Sequence, residues 1–599
     1  MCGIAGSINL GNNENIVFSS LYHRGPDEQN SVVHKNTIFY HTRLSIQDIS
    51  HGQQPFQKRD YTMVFNGEIY NHLKLREDYL QEFNFQTTSD TETLLCMYEK
   101  FKERMFSYLD GMYAFAILDI KREEIFLARD RSGKKPLYIY NDTKSLFFAS
   151  ELNTIKNVKL DLKIHEVNIN GYLRTGFFFK ESTPYHNVKA LDAGTYCCIN
   201  INTLESKEKK YFDILTSYHD KKNISFSEAL SNVDSLLHKS VKDRLLSSDL
   251  EVGAFLSGGI DSSLIVAIAS EYKDKLKTFT VKFDGTYDES PLAKLTAQKY
   301  NTSHHEISIS MNLKDDIEKI LLNYGAPFMD SSAIPSYYVS QEAKKHVTVI
   351  LNGDGADELF GGYRRYVPSA NGLIKYARYF SFLSKVIPKP QNKKSLYTHI
   401  FRLLKMSNKN GLDFYLSSTS DIFEDEYTFE NNDFMNSINA LIDNTKLDDL
   451  SKMLYLDFNM ILFSNLLVKI DIATMASSLE GRSPFLSKYL LEYVPGLPNK
   501  YKVKGRNTKY ILRELSKKYL SPELINQPKR GFEVPLKKWV NIDLKENIYD
   551  ALSSNSYSRN FIDQKFINQL LSNKGNMSEE KRVKMLWTLY CLDVWKKNL

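Results

Sequence analysis

The stretch that most constrains the fold of this 599-residue chain is an apolar run followed at once by a glycine turn and a second apolar run. Val252 to Leu256 have the pattern of a short buried strand, and Ser257 to Gly259 form a tight turn. From Asp261 onward the small and apolar residues favour a helix. We expect the second half of the chain to be organised around this strand, turn and helix.

The turn has the features of a phosphate-binding site. A helix N-terminus offers unpaired N–H groups and a partial positive charge, and two adjacent glycines allow an anion to approach them. Asp261 beside that anion is favourable only with a divalent cation between them, which indicates Mg²⁺ and therefore Mg-ATP. A turn without any ligand is the alternative interpretation. The candidate ATP-binding residues here are Ser257, Gly258, Gly259, Asp261, Ser262 and Ser263.

Strand-like and helix-like segments alternate around the turn, which predicts a doubly wound parallel α/β sheet with its ligand at the carboxyl ends of the strands. The predicted helices are 226–246 and 288–300, and the further strands are 278–283, 304–309 and 347–351. A glycine-rich segment with three acids follows the last strand, and we assign Asp357 to the metal together with Asp261. His304 and His305 are neighbours in a strand and point to opposite faces, so a shared metal ion is not expected.

The segment Ser257-Gly-Gly-Ile-Asp-Ser-Ser263 resembles the PP-loop of the ATP pyrophosphatase families. It lacks the lysine and the spacing of the kinase-type phosphate loop. The resemblance implies cleavage of ATP between its α and β phosphates, with adenylation of a carboxylate or carbonyl oxygen.

The amino terminus carries a second candidate active site. Removal of Met1, which the small residue at position 2 permits, would leave Cys2 with a free α-amine that serves as the base for its own thiol. An ordinary buried cysteine at the start of a strand is the alternative.

Three further motifs supply what hydrolysis of glutamine requires. Arg43 suits the α-carboxylate of glutamine, and Glu68 with Asp90 suits its ammonium group. Asn66 and Gly67 can form an oxyanion hole.

The N-terminal motifs, in order, resemble those of the class II glutamine amidotransferases, which have an N-terminal nucleophile. They are Met1-Cys-Gly-Ile-Ala-Gly6, His23-Arg-Gly-Pro-Asp27, Arg43-Leu-Ser-Ile46, Asn66-Gly-Glu-Ile-Tyr-Asn71 and Ser89-Asp-Thr-Glu92. The resemblance implies an αββα sandwich over residues 1–212, with Cys2 as nucleophile, Asn66 and Gly67 as oxyanion hole, and glutamine held by Arg43, Leu44, Ser45, Ile46, Glu68 and Asp90. The lysine-rich stretch 205–210 is expected to be a polar linker.

Over nearly its full length the chain resembles the glutamine-hydrolysing asparagine synthetases, with residues 225–599 as the amidating domain. The resemblance rests also on the segments 466–486 and 529–535. It implies that Leu256, Val281, Asn352 and Gly353 contact ATP, and that Asp354 is catalytic where the family has glutamate. The implied reaction runs through a glutamyl thioester, channelled ammonia and β-aspartyl-AMP, and yields asparagine, glutamate, AMP and pyrophosphate.

Two more positions depart from the family pattern. Ile472 replaces a basic residue, for which Lys469 could substitute, and Ser487 replaces aspartate. These departures keep other acceptors open, such as a sugar acid, a peptide or an antibiotic precursor. A β-lactam-synthetase-like enzyme and a catalytically inactive regulator are further alternatives.

Composition limits the remaining classes. A formal net charge of +6 on 599 residues gives no case for nucleic acid, and we find no apolar run of about 18 residues that would indicate a membrane span. Five cysteines form no zinc spacing and no even-numbered disulfide framework. We therefore expect a cytoplasmic enzyme acting on small molecules, and a homodimer by analogy with relatives.

Overall fold

In the computed structural model of the chain, the first half is built from two six-stranded antiparallel sheets. The structure describes residues 2–282, 288–308, 313–388, 395–419, 422–423, 438–442, 445–527, 534–553, 555–574 and 577–599. The strands are β1 Gly3–Ile8, β2 Glu28–His34, β3 Thr37–Arg43, β4 Phe56–Lys58, β5 Tyr61–Ile69, β6 Gly111–Asp119, β7 Glu124–Arg129, β8 Tyr138–Asn141, β9 Leu146–Ala149, β10 Val188–Ala190, β11 Thr195–Asn200 and β12 Ser206–Lys210. The sheet orders are β10-β8-β9-β1-β3-β2 and β12-β11-β7-β6-β5-β4.

The two sheets pack face to face and carry helices on their outer faces. Buried residues of both sheets, such as Ile4, Phe39, Val64 and Leu127, form the core between them. Asp90–Phe101 covers one sheet, and Glu14–Leu21 with Leu152–Asn157 covers the other. The αββα expectation is therefore confirmed. The other helices of this half are His72–Tyr79, Glu166–Thr175 and Ile214–His219.

The second half contains a five-stranded parallel sheet in the order β15-β14-β13-β16-β17. Its strands are β13 Val252–Phe255, β14 Lys277–Lys282, β15 Ser303–Ser308, β16 Val349–Leu351 and β17 Glu480–Arg482. Helices pack on both faces, as expected for a doubly wound sheet with apolar strands. The helices around it are Phe226–Leu246, Ile260–Ala269, Ser290–Lys299, Leu313–Leu322, Ala333–Lys344 and Ala356–Phe360.

The remaining helices extend the second half. They are Tyr366–Ala370, Leu373–Tyr379, Leu383–Val386, Leu396–Ser407, Gly411–Ser418, Asp449–Asp457, Leu467–Met475, Lys488–Tyr493, Asn499–Lys502, Tyr510–Tyr519, Pro522–Ile525, Leu536–Lys538, Lys545–Ala551, Gln564–Leu571 and Glu579–Lys597. The predicted signature 529–535 lies outside the described residues except for Val534 and Pro535.

One predicted linker is a strand. The stretch expected to be a polar connection forms β12, which pairs with β11 at the edge of its sheet. All five of its residues are exposed, so no alternation of polar and apolar residues marks it as a strand. Lysine-rich edges are common because they discourage pairing with other chains.

One helix in the described part of the chain is longer and more apolar than the sequence led us to expect, because Asp457, Lys469 and Asp471 interrupt its apolar residues. Residues Asp449–Met475 form one continuous helix whose middle part, Phe458–Leu466, is a π-helix. Its length and composition would suffice for a membrane span, but the core helix of a folded domain meets the same criteria. Of the most apolar 18 residues of this helix, 67% are buried inside the protein.

Candidate active sites

Cys2 lies beside β5 of the opposite sheet, where its backbone nitrogen donates to Oδ1 of Asn66 at 3.2 Å. This bond orients the Asn66 amide, whose Nδ2 is buried and has no hydrogen-bond partner among the described residues. Burial raises the pKa of the Cys2 thiol, although a backbone hydrogen bond from Leu44 opposes the shift. A thiol in this environment needs a base, and an unpaired amide donor next to it can stabilise an oxyanion.

Gly67 follows Asn66 within β5 and is crowded by the neighbouring strand. It pairs with Tyr113 of β6, and a Cβ at this position would meet the backbone of Met112 and Tyr113. Only glycine therefore allows β5 to keep this register while it presents Asn66 to Cys2.

Arg43 ends β3 and is almost fully buried. Its guanidinium donates to Glu28 at 2.8 Å and to the carbonyl of Asp48 at 2.7 Å. In the three residues that follow, Leu44 and Ile46 are buried and Ser45 N donates to Asp27 at 2.7 Å. The Cys2 thiol accepts from the backbone of Leu44, so the predicted glutamine-binding segment 43–46 lies beside Cys2.

Two buried carboxylates, Glu68 and Asp90, lie close enough to influence each other. Asp90 accepts from Ile69 N at 2.8 Å, while Oε1 of Glu68 has no partner among the described residues. Burial and the repulsion from Asp90 raise the pKa of Glu68. Burial, together with the nearby Glu480, raises the pKa of Asp90 to about 6. A cation bound between these carboxylates, such as an ammonium group, would relieve both shifts.

The predicted phosphate loop joins β13 to the helix Ile260–Ala269, with Gly259 as its N-cap. Ser262 Oγ accepts from Ser257 N at 3.1 Å and lies 2.9 Å from Ser257 Oγ, which holds the turn closed around the helix N-terminus. A Cβ on Gly258 would come within 3.0 Å of Leu292. Ser263 differs from the other two serines because its hydroxyl is fully buried and accepts a hydrogen bond from Thr296 at 3.2 Å.

The second loop, residues 352–357, follows β16, the direct neighbour of β13, so the two loops meet at the carboxyl edge of the sheet as expected. Gly353 allows this approach because a Cβ there would lie 3.2 Å from Cβ of Asp261. Nδ2 of Asn352 is buried without a partner among the described residues, and its Oδ1 accepts from the half-buried Asp354. Leu256 and Val281 are buried near the ends of β13 and β14.

A lysine that sequence reasoning missed lies between the two predicted metal ligands. Lys509 Nζ is 2.5 Å from Asp261 and 2.7 Å from Asp357, and the lysine side chain is almost fully buried. Lys509 has a left-handed backbone (φ 50°), which is uncommon for a non-glycine residue and is often found at functional sites. Gly362 makes the meeting possible, because a Cβ there would overlap both Asp357 and Lys509.

These carboxylates also fit a magnesium ion. Both carboxylates contact the ammonium group of Lys509, so they are close enough to share one cation. Oδ1 of Asp261 is buried with no partner among the described residues. The part of the chain that the structure describes has no group of three or more His, Cys, Asp or Glu side chains suited to a metal. Two carboxylates completed by phosphate oxygens and water are nevertheless a usual Mg²⁺ arrangement.

The structure shows which residues surround the positions that depart from the family pattern. Ile472 is buried in an apolar cluster with Phe177, Tyr324 and Phe328. Lys469 lies 3.0 Å from Ser332 and pairs with Asp330 at 3.5 Å.

Ser487 is fully buried and caps the helix Lys488–Tyr493 by accepting from Leu490 N. Aspartate and serine are equally good N-caps, so this substitution has a structural explanation that does not involve an acceptor.

Arg482 of β17 connects the two candidate sites and was also missed in the sequence. Its Nη2 is 3.2 Å from Oε2 of Glu68, and its backbone carbonyl accepts from Asn352 N at 2.9 Å. The same guanidinium bonds Glu480 at 2.6 Å. One residue of the parallel sheet therefore contacts both a candidate glutamine ligand and the second ATP loop.

Comparison with known proteins identifies two families along the chain. Residues 1–212 match the family described as glutamine amidotransferase domain, and residues 232–597 match the family described as asparagine synthase. Asparagine synthetase (glutamine-hydrolyzing) 1 of Bacillus subtilis (strain 168) is 33% identical, with 96% of this chain and 92% of the relative covered. Asparagine synthetase (glutamine-hydrolyzing) 3 of the same organism is 28% identical, with 96% and 94% covered. Amidase chyE of Penicillium rubens is 27% identical, with 90% and 87% covered.

Proposed function

The chain belongs to the asparagine synthase family, and we propose that it forms L-asparagine from L-aspartate, L-glutamine and ATP at two sites of one protein. The glutamine amidotransferase half, assigned to residues 1–212, supplies ammonia. The amidating half, assigned to residues 225–599, activates the carboxylate. The family assignment makes the chain a glutamine-dependent carbon–nitrogen ligase that uses ATP.

In the first half-reaction, the free α-amine of Cys2 accepts the thiol proton and the sulfur attacks the side-chain amide of glutamine. Asn66 Nδ2 and the Gly67 N–H stabilise the oxyanion, and collapse of the intermediate releases ammonia and leaves a glutamyl thioester. Water then hydrolyses the thioester to glutamate. Arg43 and the segment 44–46 hold the α-carboxylate end, while Glu68 and Asp90 receive the ammonium group.

In the second half-reaction, the β-carboxylate of aspartate attacks the α-phosphorus of ATP to give β-aspartyl-AMP and pyrophosphate, and ammonia displaces AMP. The loop Ser257–Ser262 and the residues Asn352 and Gly353 bind the nucleotide, with Asp354 near the reacting carboxylate. Lys509 is placed to neutralise charge on the phosphates because its ammonium lies at the meeting point of the two loops. Asp261 and Asp357 would hold Mg²⁺, which when bound neutralises phosphate charge.

Ammonia has to pass between the sites before water protonates it. Arg482 contacts Glu68 on one side and Asn352 on the other, so the two candidate sites adjoin the same residue and a passage between them would be short. This direct bridge between the two candidate sites is the observation that carries the proposal of coupled reactions.

The test uses purified protein whose loss of Met1 has been verified by mass. It is incubated with glutamine and ATP, with and without aspartate, and pyrophosphate, AMP and asparagine are measured. We expect the three products in equal amounts only when aspartate is present. Cys2→Ala should abolish synthesis from glutamine and retain synthesis from added ammonia. Hydrolysis of glutamine without any pyrophosphate in response to aspartate would mean that the acceptor is another carboxylate, and equal asparagine formation by wild type and Cys2→Ala from glutamine would exclude the thioester.

We further propose the cytoplasm as location and a homodimer as assembly. All five cysteines are free thiols, which suits a reducing compartment. Cell fractionation and sedimentation velocity test the two statements separately.

A further inference from the structure

Three helices of the second half, Leu373–Tyr379, Leu383–Val386 and Leu396–Ser407, expose an unusual number of apolar side chains. Of the eighteen large hydrophobic residues that are exposed in the described part of the chain, nine lie between positions 373 and 400. Tyr379 is 81% exposed, Val386 76%, Leu396 74% and Tyr376 70%. We call the exposed faces of Leu373–Tyr379, Leu383–Val386 and Leu396–Ser407, with the turn between the first two, the basic aromatic surface.

These faces belong to one packed layer. The first and third helices bury their opposite sides, through Ile374 and Ala377 in one and Phe401 and Leu404 in the other. Arg378 of the first helix donates to the carbonyl of Ser407 at the end of the third at 3.1 Å, which fixes the two helices side by side. The exposed apolar residues are therefore displayed by a folded, supported layer.

The same segment is strongly basic. Between Glu358 and Asp413 the sequence has eleven Lys and Arg residues and no Asp or Glu, so the remainder of the chain has more acidic than basic residues. This cluster of basic residues is not apparent from the small net charge of the whole chain. Lys375, Arg378, Lys385 and Arg402 are exposed within the described helices. An apolar surface surrounded by cations is the composition of proteins that lie on anionic bilayers.

We propose that the basic aromatic surface docks on an anionic lipid bilayer, with its aromatic and aliphatic side chains in the headgroup region. A second copy of this chain is a poor occupant because two such surfaces would bring like charges together. Nucleic acid would explain the cations and the tyrosines, but not exposed Val386 and Leu396, which cannot stack on bases. The surface gives the enzyme a peripheral position at a membrane.

The experiment is co-sedimentation of the full chain with vesicles at about 0.1 M salt. One set of vesicles is phosphatidylcholine alone, and the other contains about one part phosphatidylglycerol to three parts phosphatidylcholine. We expect binding only to the anionic set, and loss of most binding at about 0.5 M salt. Tyr379→Ser with Val386→Ser, and separately Lys375→Glu with Lys385→Glu, should each lower the partition coefficient about tenfold or more.

Matched controls change equally exposed residues elsewhere. Leu73→Ser with Ile542→Ser and Lys144→Glu with Lys207→Glu should leave binding within about twofold of wild type. All variants should keep glutamine hydrolysis and the thermal transition of the wild type, because the altered side chains are exposed.

Absence of vesicle binding by wild type, or equal binding by surface and control variants, would overturn the proposal. So would two other results that identify a different occupant. One is a dimer in sedimentation that the surface variants convert to monomer. The other is single-stranded RNA that displaces the protein from vesicles and loses affinity in the same variants.

Discussion

At the scale of single residues, the candidate amidotransferase site contains side chains that are buried but not fully bonded within the described part of the protein. Asn66 has one amide end fixed by Cys2 and the other unpaired, and Glu68 has one oxygen bonded to Arg482 and the other unpaired. Unpaired buried polar atoms cost stability, so their presence together indicates that a ligand completes their bonding.

Replacing Asn66 by Ala should lower kcat for glutamine hydrolysis by about 10² to 10³, because one donor to the oxyanion is lost. Synthesis from ammonia should be unchanged, since that reaction does not use Cys2. Asn84→Ala, at an exposed position of the same domain, is the control. Equal hydrolysis by Asn66→Ala and wild type would exclude Asn66 from the oxyanion hole.

The raised pKa of Asp90, about 6, predicts a pH dependence of glutamine binding. A carboxylate with a raised pKa loses its charge as the pH falls through that value, and then no longer attracts the ammonium group of the substrate. We expect KM for glutamine to rise as the pH falls from 7.5 to about 5. KM for ammonia should not change with the protonation of Asp90, because ammonia does not bind there. In Asp90→Asn, KM for glutamine should be high and flat around pH 6. A flat profile in wild type would contradict the assignment.

At the scale of elements, two loops after neighbouring parallel strands form the candidate nucleotide site, and glycines set how closely they approach. Gly362 leaves space for Asp357 and Lys509 to meet, although it lies outside both loops. The short helix Ala356–Phe360 holds this arrangement between the end of β16 and the turn at Gly361.

Gly362→Ala should therefore lower aspartate-dependent pyrophosphate formation by about 10² by separating Asp357 from Lys509. Glutamine hydrolysis should stay within about twofold, because the amidotransferase residues are not displaced. Gly11→Ala is the matched control, since a Cβ at Gly11 meets no atom within 4 Å. Full synthetase activity in Gly362→Ala would show that the close contact is not required.

The helix Lys488–Tyr493 offers a second test at this scale. Ser487→Ala should destabilise the protein by about 1 kcal/mol through loss of the N-cap, seen as a lower Tm. Ser487→Asp should keep the Tm near that of wild type because a carboxylate accepts the same bond at the positive helix end. If Ser487→Asp instead changes KM for aspartate, the position contributes to acceptor binding.

At the scale of the whole molecule, buried charges hold the two halves together. Asp471 of the apolar helix accepts from Lys135 at 3.0 Å and pairs with Arg24 at 2.9 Å, both from the amidotransferase half. Arg24 also pairs with Glu151 at 2.9 Å. All four side chains are almost fully buried, so each charge depends on the others for compensation.

Asp471→Asn should destabilise the protein by about 3 kcal/mol, since it leaves Arg24 and Lys135 with less compensation. We also expect more glutamate released for each asparagine made, because the interface that retains ammonia is loosened. Asp60→Asn removes an exposed ion pair with Lys121 and should change the Tm little. An unchanged Tm and product ratio in Asp471→Asn would show that this network does not join the halves.

Local patterns predicted a large part of this protein. The helix Phe226–Leu246 is confirmed at both ends because apolar residues recur on one face of it. The strand, turn and helix around Ser257 are confirmed for the same kind of reason, since the glycines mark the turn. The edge strand β12 and the full length of the apolar helix 449–475 were not predicted. β12 is exposed on both faces, and charged residues interrupt the apolar run of the helix, so neither shows a simple repeat.

The sequence by itself determined the two fold classes, the order of the motifs and the chemistry available at each, because periodicity, glycine turns and a terminal cysteine act through near neighbours. The tertiary structure alone decided which charges meet. Lys509 reaches Asp261 across 248 positions of the chain, and Arg482 reaches Glu68 across 414. Contacts over such separations depend on how whole sheets and helices pack, and packing of that kind produces no repeat in the amino-acid order.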